Sequence, residues 1–467
     1  MALSGVDEGS FRDPSGRVFT VEGRIFRTVT RRAAPDYEVL RDKGLLRELV
    51  DDGLLIAANE MPRGDFTDLS DEVVHVVEHP RLPFIAYPYE WPFSALKAAA
   101  LFHLDLHLGL LEQGATLSDA SAYNVQFDGV RPLFIDLLSL RPYRQGEYWF
   151  GHKQFTEQFL NPLLLTALLG VPFQSWYRGA LEGIATSDMV RLLPFRRKLY
   201  WKALTHVVLP ARFQARAAAT GGLERAARAG RRQLPLNAYQ GLLRQLRGWI
   251  AKLDAPFGDA TTWADYDATH GYESGDFEAK RHFVARFTEA VKPGVLWDFG
   301  CNTGEFSELA LESGAARVIG FDCDQGALEK AFGRASDRKL AFQPLYLDAA
   351  NPSPDQGWRQ RERKGLSRRD RPDALAALAF EHHLAIGRSV PLVDLVGWLT
   401  GLADQGVIEF VEKSDPRVQR MLALREDIFE DYDRHVFEAA LRARARIVAA
   451  ETMSSGRRIL YWYERTA

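Results

Sequence analysis

VLWDFGCNTGEFSELALESGAARVIGFDCD, residues 295–324, decides the fold of this chain. An apolar run ends at Asp298, a turn carries Gly300 and Gly304, a helical pattern starts near Phe306, and a second apolar run ends at Asp322. Strand, glycine turn, helix and strand make the first βαβ unit of a nucleotide-binding α/β fold. In such a unit the glycines let backbone approach a ligand, and the second-strand carboxylate accepts hydrogen bonds from ribose hydroxyls. The spacing then separates cofactors. A dinucleotide fingerprint needs a middle glycine where the pyrophosphate crowds the turn, and Asn302 stands between Gly300 and Gly304. The carboxylate of Asp298 would repel a pyrophosphate, whereas it suits a cofactor bearing a cationic amino group and a sulfonium.

Working outward, short apolar runs recur after residue 290 (VLWDFG, ARVIGFD, FQPLYLD, ALAALAF, VIEFVEK), most followed by helical stretches, which predicts a mostly parallel α/β sheet. These residues resemble the class I S-adenosylmethionine (SAM) methyltransferases over about 263–467, through Asp298, Gly300 and Gly304, through Asp322, and through a third-strand carboxylate, Asp348 in LYLDA. The resemblance implies a Rossmann-like domain with a seven-stranded, mostly parallel sheet. In it Asp298 works near the methionine amino group, Asp322 holds the ribose and Asp348 lies near adenine, with Cys301, Asn302 and Cys323 at the mouth of the same cleft. Family members often have one more glycine in this turn, so the cradle is expected to be tighter around Asn302. WADYDATHGYESGDFEAKRHFV (263–284) offers Tyr266 and Tyr272 as lid residues, or else a plain linker helix.

Methyl transfer from an activated cofactor asks the protein to align the nucleophile and, where needed, to take its proton. The fourth strand runs into FEHHLAIG, placing Glu381, His382 and His383 as catalytic candidates, a histidine serving as general base. The other reading has these histidines capping a helix or packing on the sheet. An Asn/Asp-Pro-Pro-Tyr motif and a Pro-Cys nucleophile are both missing from that position, which disfavours adenine or glutamine amino-methylation and cytosine C5 chemistry. The segment NPSPDQGWRQRERKGLSRRDRPD (351–373) carries seven basic residues against two acids between 357 and 371, and reads as a gating lid, an anion-binding loop or a solvated charge run.

The chain is 467 residues long, 46% hydrophobic and 26% charged, with a net charge of -3, as expected for a globular protein of two or three domains. Two cysteines exclude a disulfide framework and a zinc-type spacing, and a reducing cytoplasm is the expected location. The LLLTALLG run is far short of the ~20 residues that span a bilayer, so no membrane partner is expected. Residues 191–250 hold thirteen Lys/Arg against one acid and read as Arg-rich helices broken at Gly221 and Gly222. The domain reading is therefore 1–185, a helical bridge at 186–254, and 255–467.

In the first part GRVFT and GRIFRTVT read as a hairpin, Asp36 to about Val50 as a helix, VVHVVEH and FIAYPYE as strands, and 94–111 as a helix stopped by Gly114. LSDASAYNVQFDGVRPLFIDL (117–137) places Asn124 five positions after Asp119 and Asp136 twelve after that. This resembles the catalytic loop and metal-binding strand of protein-kinase-like folds, the aminoglycoside phosphotransferases above all. That resemblance implies an α+β lobe in which Asp119 faces an accepting hydroxyl while Asn124 and Asp136 hold magnesium on ATP. A glycine-rich loop is missing, and Arg27 stands where such folds keep a lysine, with Glu38 or Glu48 to pair it, so the lobe reads as reduced. DASAYNVQF, LPFIAYPYEWPFS, NPSPDQGWRQRERKG and FEHHLAIGRSVPL together resemble the NoeA-type nodulation-associated proteins. The expected function is methyl transfer to a hydroxyl or amine of a small-molecule or glycan-like acceptor. The alternatives are an RNA methyltransferase gripping its substrate through the basic bridge, and a phosphotransferase or nucleotide-binding scaffold.

Overall fold

Two large sheets, one in each half of the chain, and two small two-stranded ones in the N-terminal half organise the computed structural model, which describes residues 5–198, 200–209, 233–257, 274–423 and 426–466. In the N-terminal half β1 (Val18–Val21), β2 (Arg24–Thr30), β3 (Asn59–Met61) and β4 (Val73–His79) form an antiparallel sheet in the order β1-β2-β4-β3. The hairpin is as read, with Val18 opposite Arg27. The stretch from Asp36 to Val50 divides into two helices, Ala34–Asp42 and Leu45–Asp51, because Gly44 turns left-handed at φ 79°. FIAYPYE is not a strand. Pro83 precedes it and Pro88 interrupts it, and Ala86 exchanges both its backbone hydrogen bonds with the Gln126 side-chain amide, at 3.0 and 2.9 Å, in place of a ladder.

The helix Phe93–Glu112 follows, and beyond it β5 (Ala115–Leu117) pairs β8 (Leu140–Pro142), while β6 (Val125–Asp128) and β7 (Arg131–Phe134) form a hairpin. Phe93–Glu112 is long and apolar enough to cross a bilayer, yet Leu96, Ala99, Ala100 and Leu104 are wholly buried in the core. Its polar edge is covered by the helix Leu236–Ile250, through Arg247 to Asp105 at 3.0 Å and the Tyr239 hydroxyl to His107 at 3.3 Å. The described end of the basic stretch is thus packed on the N-terminal half. Residues 210–232 of that stretch, including Gly221 and Gly222, lie outside the described residues.

The C-terminal half is built on a mixed seven-stranded sheet. Its strands are β9 (Leu296–Phe299), β10 (Val318–Asp322), β11 (Phe342–Tyr346), β12 (Ala374–Ala377), β13 (Gln405–Val411), β14 (Ala445–Thr452) and β15 (Arg458–Arg465), in the order β11-β10-β9-β12-β13-β15-β14. Only β15 runs against its neighbours. The order steps outward from β9 in both directions, so the carboxyl ends of β9, β10 and β12 flank a crevice at the point where the connections diverge.

The two halves share one apolar core. Phe84 packs edge-on against Trp297 and Phe321, with ring centroids at 5.6 and 5.8 Å. The basic segment 357–371 lies across this junction, with Arg369 buried in it and Arg361 and Arg368 at its exposed rim. Arg369 makes a buried two-pronged pair with Glu90 at 2.6 and 2.7 Å, Lys364 reaches Asp7, Arg368 and Arg361 reach Glu8, and Glu362 accepts from Arg12. The alternating signs that read as surface charge are one side of an interface whose partners lie more than 250 residues away.

Candidate functional site

The turn after β9 is shaped by three left-handed residues, Gly300 (φ 74°), Asn302 (φ 49°) and Gly304 (φ 84°). Asparagine tolerates this region better than most side chains, so Asn302 serves where a further glycine was expected. Gly304 is required for a different reason. A Cβ there would come within 2.5 Å of the Phe342 ring on β11. The turn is anchored by Asn302 N–H donating to Asp322 Oδ2 at 2.9 Å, while Asp324 N–H donates to Oδ1 at 2.9 Å. Each Asp322 oxygen retains acceptor capacity toward the crevice.

Asp298, next to the last residue of β9, is 2% exposed and accepts from Ser307 Oγ at 2.6 Å. Burial pushes its carboxyl up to about 6, against the pull of Ser307 and Lys280. Burial likewise raises Asp322. Asp348 lies past β11, accepting from Ala350 N–H at 3.1 Å and facing Arg388 at 3.4 Å. These three carboxylates, with Gly300, Cys301, Asn302 and Cys323, line one cavity of about 300 Å³. Gly304 supports the turn from behind and is not in its wall. Cys301 is buried and Cys323 exposed. Tyr266 and Tyr272 lie outside the described residues.

The opposite wall is Phe277, Phe306, Phe380, Leu384 and Met421, with Lys280 at the Asp298 end. Lys280 comes from the helix Ser274–Val291 and forms a buried pair with Glu409 at 2.6 Å. Sequence reading missed the role of these residues, since one lysine among the basic residues of a polar helix carries no signal until the helix is docked.

Of the catalytic candidates, only His383 reaches the cavity. Glu381 is 1% exposed and accepts from Val411 N–H at 2.8 Å and the Tyr432 hydroxyl at 3.0 Å, tying the helix Glu381–Ala385 to the end of β13. His382 is wholly buried against His383, with ring centroids 4.1 Å apart. Both are packing residues, as helical periodicity demands when only one of three successive positions faces the crevice. Burial, reinforced by His382, Arg417 and Arg458, pushes His383 down to about 3, so its ring is neutral and weakly basic at physiological pH.

In the N-terminal half Asp119, Asn124, Asp136 and Arg27 do meet. Asn124 Nδ2 donates to Asp119 at 3.0 Å and Asp136 at 3.2 Å, and Arg27 bridges Asp136 (2.7 Å) and Asp13 (2.9 Å). Burial, then Asp136 and Asp13, push Asp119 up to about 7. Neither Glu38 nor Glu48 pairs Arg27, for Glu38 binds His75 at 2.8 Å. The guanidinium thus pairs one of the two residues expected to hold magnesium. Among the described residues no group of three or more His, Cys, Asp or Glu side chains is arranged to hold a metal ion, and ATP with magnesium finds no support in this geometry.

The fold and the crevice together define a mixed α/β protein with an acidic, glycine-turned ligand cleft at the carboxyl ends of its central strands. No family model matches the chain. The nodulation protein NoeA of Rhizobium meliloti (strain 1021) is 48% identical over 458 residues, which cover 98% of this chain and 96% of that protein. The chain belongs to the NoeA family. A shorter match, 45% identical over 56 residues, covers 12% of this chain and 19% of the ribosomal protein L11 methyltransferase of Aeromonas salmonicida (strain A449). Among solved structures, the N-methyltransferase NodS from Bradyrhizobium japonicum WM9 is 10% identical, with 42% of this chain and 99% of that one covered at a TM-score of 0.31. The magnesium protoporphyrin IX methyltransferase of Synechocystis PCC 6803 is 14% identical, with 45% and 94% covered at 0.32.

Proposed function

We propose that the chain is a SAM-dependent methyltransferase. The observation that carries this reading is the convergence of Asp298, Asp322 and Asp348 on one cavity beside a left-handed glycine turn. The donor set fits the group. Asp298 would take the amino group, Asp322 the ribose hydroxyls and Asp348 the purine side, and the acidic wall favours a cationic ligand over a pyrophosphate. The short match to a ribosomal protein L11 methyltransferase supports the same reading. When bound, the cofactor supplies an electrophilic methyl group.

The chain's own work is then binding, orientation and exclusion of water. Phe306, Phe380 and Met421 close the apolar side of the cavity. A neutral His383 orients an acceptor by hydrogen bonding and removes its proton poorly, so the general-base role read for it narrows to positioning. A cavity of about 300 Å³ with aromatic walls suits a hydroxyl or amine on a small-molecule or glycan-like acceptor. The nucleic-acid alternative loses its basic insert to the interface described above. For the N-terminal half we infer a reduced kinase-like lobe in which Arg27 fills the cation position and which acts as a scaffold.

Calorimetric titration of the full chain with S-adenosylhomocysteine tests the assignment. Binding is expected, and Asp322→Ala should weaken it at least about tenfold by removing a carboxylate acceptor. Wild-type protein that binds none, or an Asp322→Ala variant of unchanged affinity, overturns it.

A further inference from the structure

A second, smaller chamber of about 50 Å³ opens between the two halves, and Leu347 and Asp348 line both it and the cofactor cavity. The chamber is therefore the continuation of the purine side of the cleft into the interface. Its far wall comes from the N-terminal half, as Tyr89, Gln174 and Arg178. Tyr89 and Gln174 are 1% and 2% exposed, yet the Tyr89 hydroxyl and Gln174 Oε1 have no hydrogen-bond partner. Gln174 is held in place by its amide nitrogen, which donates to Trp91 O at 2.9 Å and Gln325 Oε1 at 3.2 Å, and this leaves the oxygen for another donor. Two orphaned polar atoms in one enclosed space cost free energy unless something pairs with them.

Arg178 acts on the other wall. Its guanidinium donates to Asn351 O at 2.7 Å and its carbonyl accepts from Gln356 Nε2 at 2.9 Å. The turn so gripped begins at Asp348, since Asn351 N–H donates to Asp348 O at 2.9 Å. The N-terminal half thereby sets the position of the carboxylate on the purine side.

Resting on the function proposed above, we propose that this chamber is the purine-edge subsite of the cofactor cleft, with Gln174 Oε1 and the Tyr89 hydroxyl reading the edge and Arg178 positioning the Asp348 turn. An adenine edge offers the matching pair, an amino group that donates to Gln174 Oε1 and a ring nitrogen that accepts from Tyr89. A hypoxanthine edge places a carbonyl against Gln174 Oε1 and is rejected. The N-terminal half is then a nucleoside-selecting element of the site.

The test titrates the full chain with S-adenosylhomocysteine, 5′-methylthioadenosine and 5′-methylthioinosine. Wild type should prefer the adenosine over the inosine nucleoside, Gln174→Leu should erode that preference about tenfold, and Tyr89→Phe should weaken both nucleosides, because its hydroxyl can donate to the adenine ring nitrogen or accept from the inosine N–H. Tyr89→Phe removes only an unpartnered hydroxyl, so its fold is not at risk. Arg178→Ala should weaken both adenosine ligands by the same factor, with Arg178→Lys restoring part of the loss. Wild type that binds S-adenosylhomocysteine while the preference stays unchanged in Gln174→Leu and methylthioadenosine binding stays unchanged in Tyr89→Phe overturns this inference alone. An Arg178→Ala variant that weakens S-adenosylhomocysteine but not methylthioadenosine overturns the positioning role. Wild type that does not bind S-adenosylhomocysteine removes the methyltransferase reading and this one with it.

Discussion

Replacing Arg369 by Met should unfold both halves together at a lower temperature. Arg369 and Glu90 have side chains 4% and 5% exposed and meet through two contacts of 2.6 and 2.7 Å. The guanidinium also donates to Ile85 O at 2.9 Å and lies 4.8 Å over the Phe84 ring and 5.0 Å over Tyr87. Methionine keeps much of the packing but leaves the Glu90 carboxylate buried with only Ser353 Oγ and Tyr87 N–H as donors. Breaking one side of such a pair costs about 3–5 kcal/mol. The core is continuous across the interface, so the cooperative unit is nearly the whole chain. Unfolding entropy of about 2.1 cal/mol/K per residue then gives about 1 kcal/mol/K for 467 residues, and Tm should fall by about 3–5 °C in a single calorimetric transition. Two separate halves would behave differently, with the wild type melting in two steps. The double variant Arg369→Met/Glu90→Met should regain most of the loss, since removing both charges also removes the uncompensated one. An unchanged Tm in Arg369→Met, or two independent transitions in wild type, refutes the fused-core argument.

Two further predictions concern the cleft. Asp298, faced by Ser307, Lys280 and Asp322, has a folded-state pKa raised from 3.8 to about 6, so it is the ionised form that folding disfavours. The ligand-free protein should lose up to about 3 kcal/mol of stability as pH rises from about 4 to 6. Affinity for S-adenosylhomocysteine should instead rise with pH through about 6 and level off above it, and an Asp298→Asn variant that keeps the slope would assign it elsewhere. Cys323 is exposed, but partial desolvation together with Asp322, Asp348 and Asp324 push its thiol up to about 11, and burial pushes the Cys301 thiol well up. Iodoacetamide should label Cys323 slowly at pH 7.5, about tenfold faster per pH unit until that pKa, and more slowly with S-adenosylhomocysteine present, with Cys301 untouched. Mass spectrometry that finds Cys301 modified first, or no protection by the ligand, contradicts the placement of the turn.

What could be read from the sequence was whatever depends on neighbours in the chain. Asp298, the glycine turn and Asp322 fall within one βαβ unit, where strand ends and turn spacing fix their relative positions. Asp119, Asn124 and Asp136 are likewise near neighbours, and they close into one hydrogen-bonded cluster. Reading failed where contacts are distant. Nothing near 357–371 says that Glu90, Glu8 and Asp7 will neutralise its cations. The order Glu381-His382-His383 names three polar residues, and only the rotation of a five-residue helix decides which one meets the cavity. FIAYPYE has strand composition, but its ladder partner is a side chain from forty residues on.

The same distant contacts explain why the N-terminal half stays attached to the cleft. A half with no task at the cleft would be free to drift apart from the sheet, and its interface would be expected to be polar and modest in size. This interface joins its ion pairs to a continuous apolar core. It buries a charge pair, shares an aromatic core through Phe84, Trp297 and Phe321, and grips the turn after β11 through Arg178. Burying Arg369 and Glu90 costs desolvation that an apolar contact would avoid, so the pair contributes register more than stability. Register is what a ligand cleft needs when one of its walls arrives from the other half of the chain, because a small displacement of Arg178 or Gln174 would misplace the Asp348 turn or the orphaned acceptor beside it. On the function proposed for this chain, the N-terminal half contributes a wall of the neighbouring ligand cleft, and the register of the interface sets where that wall stands.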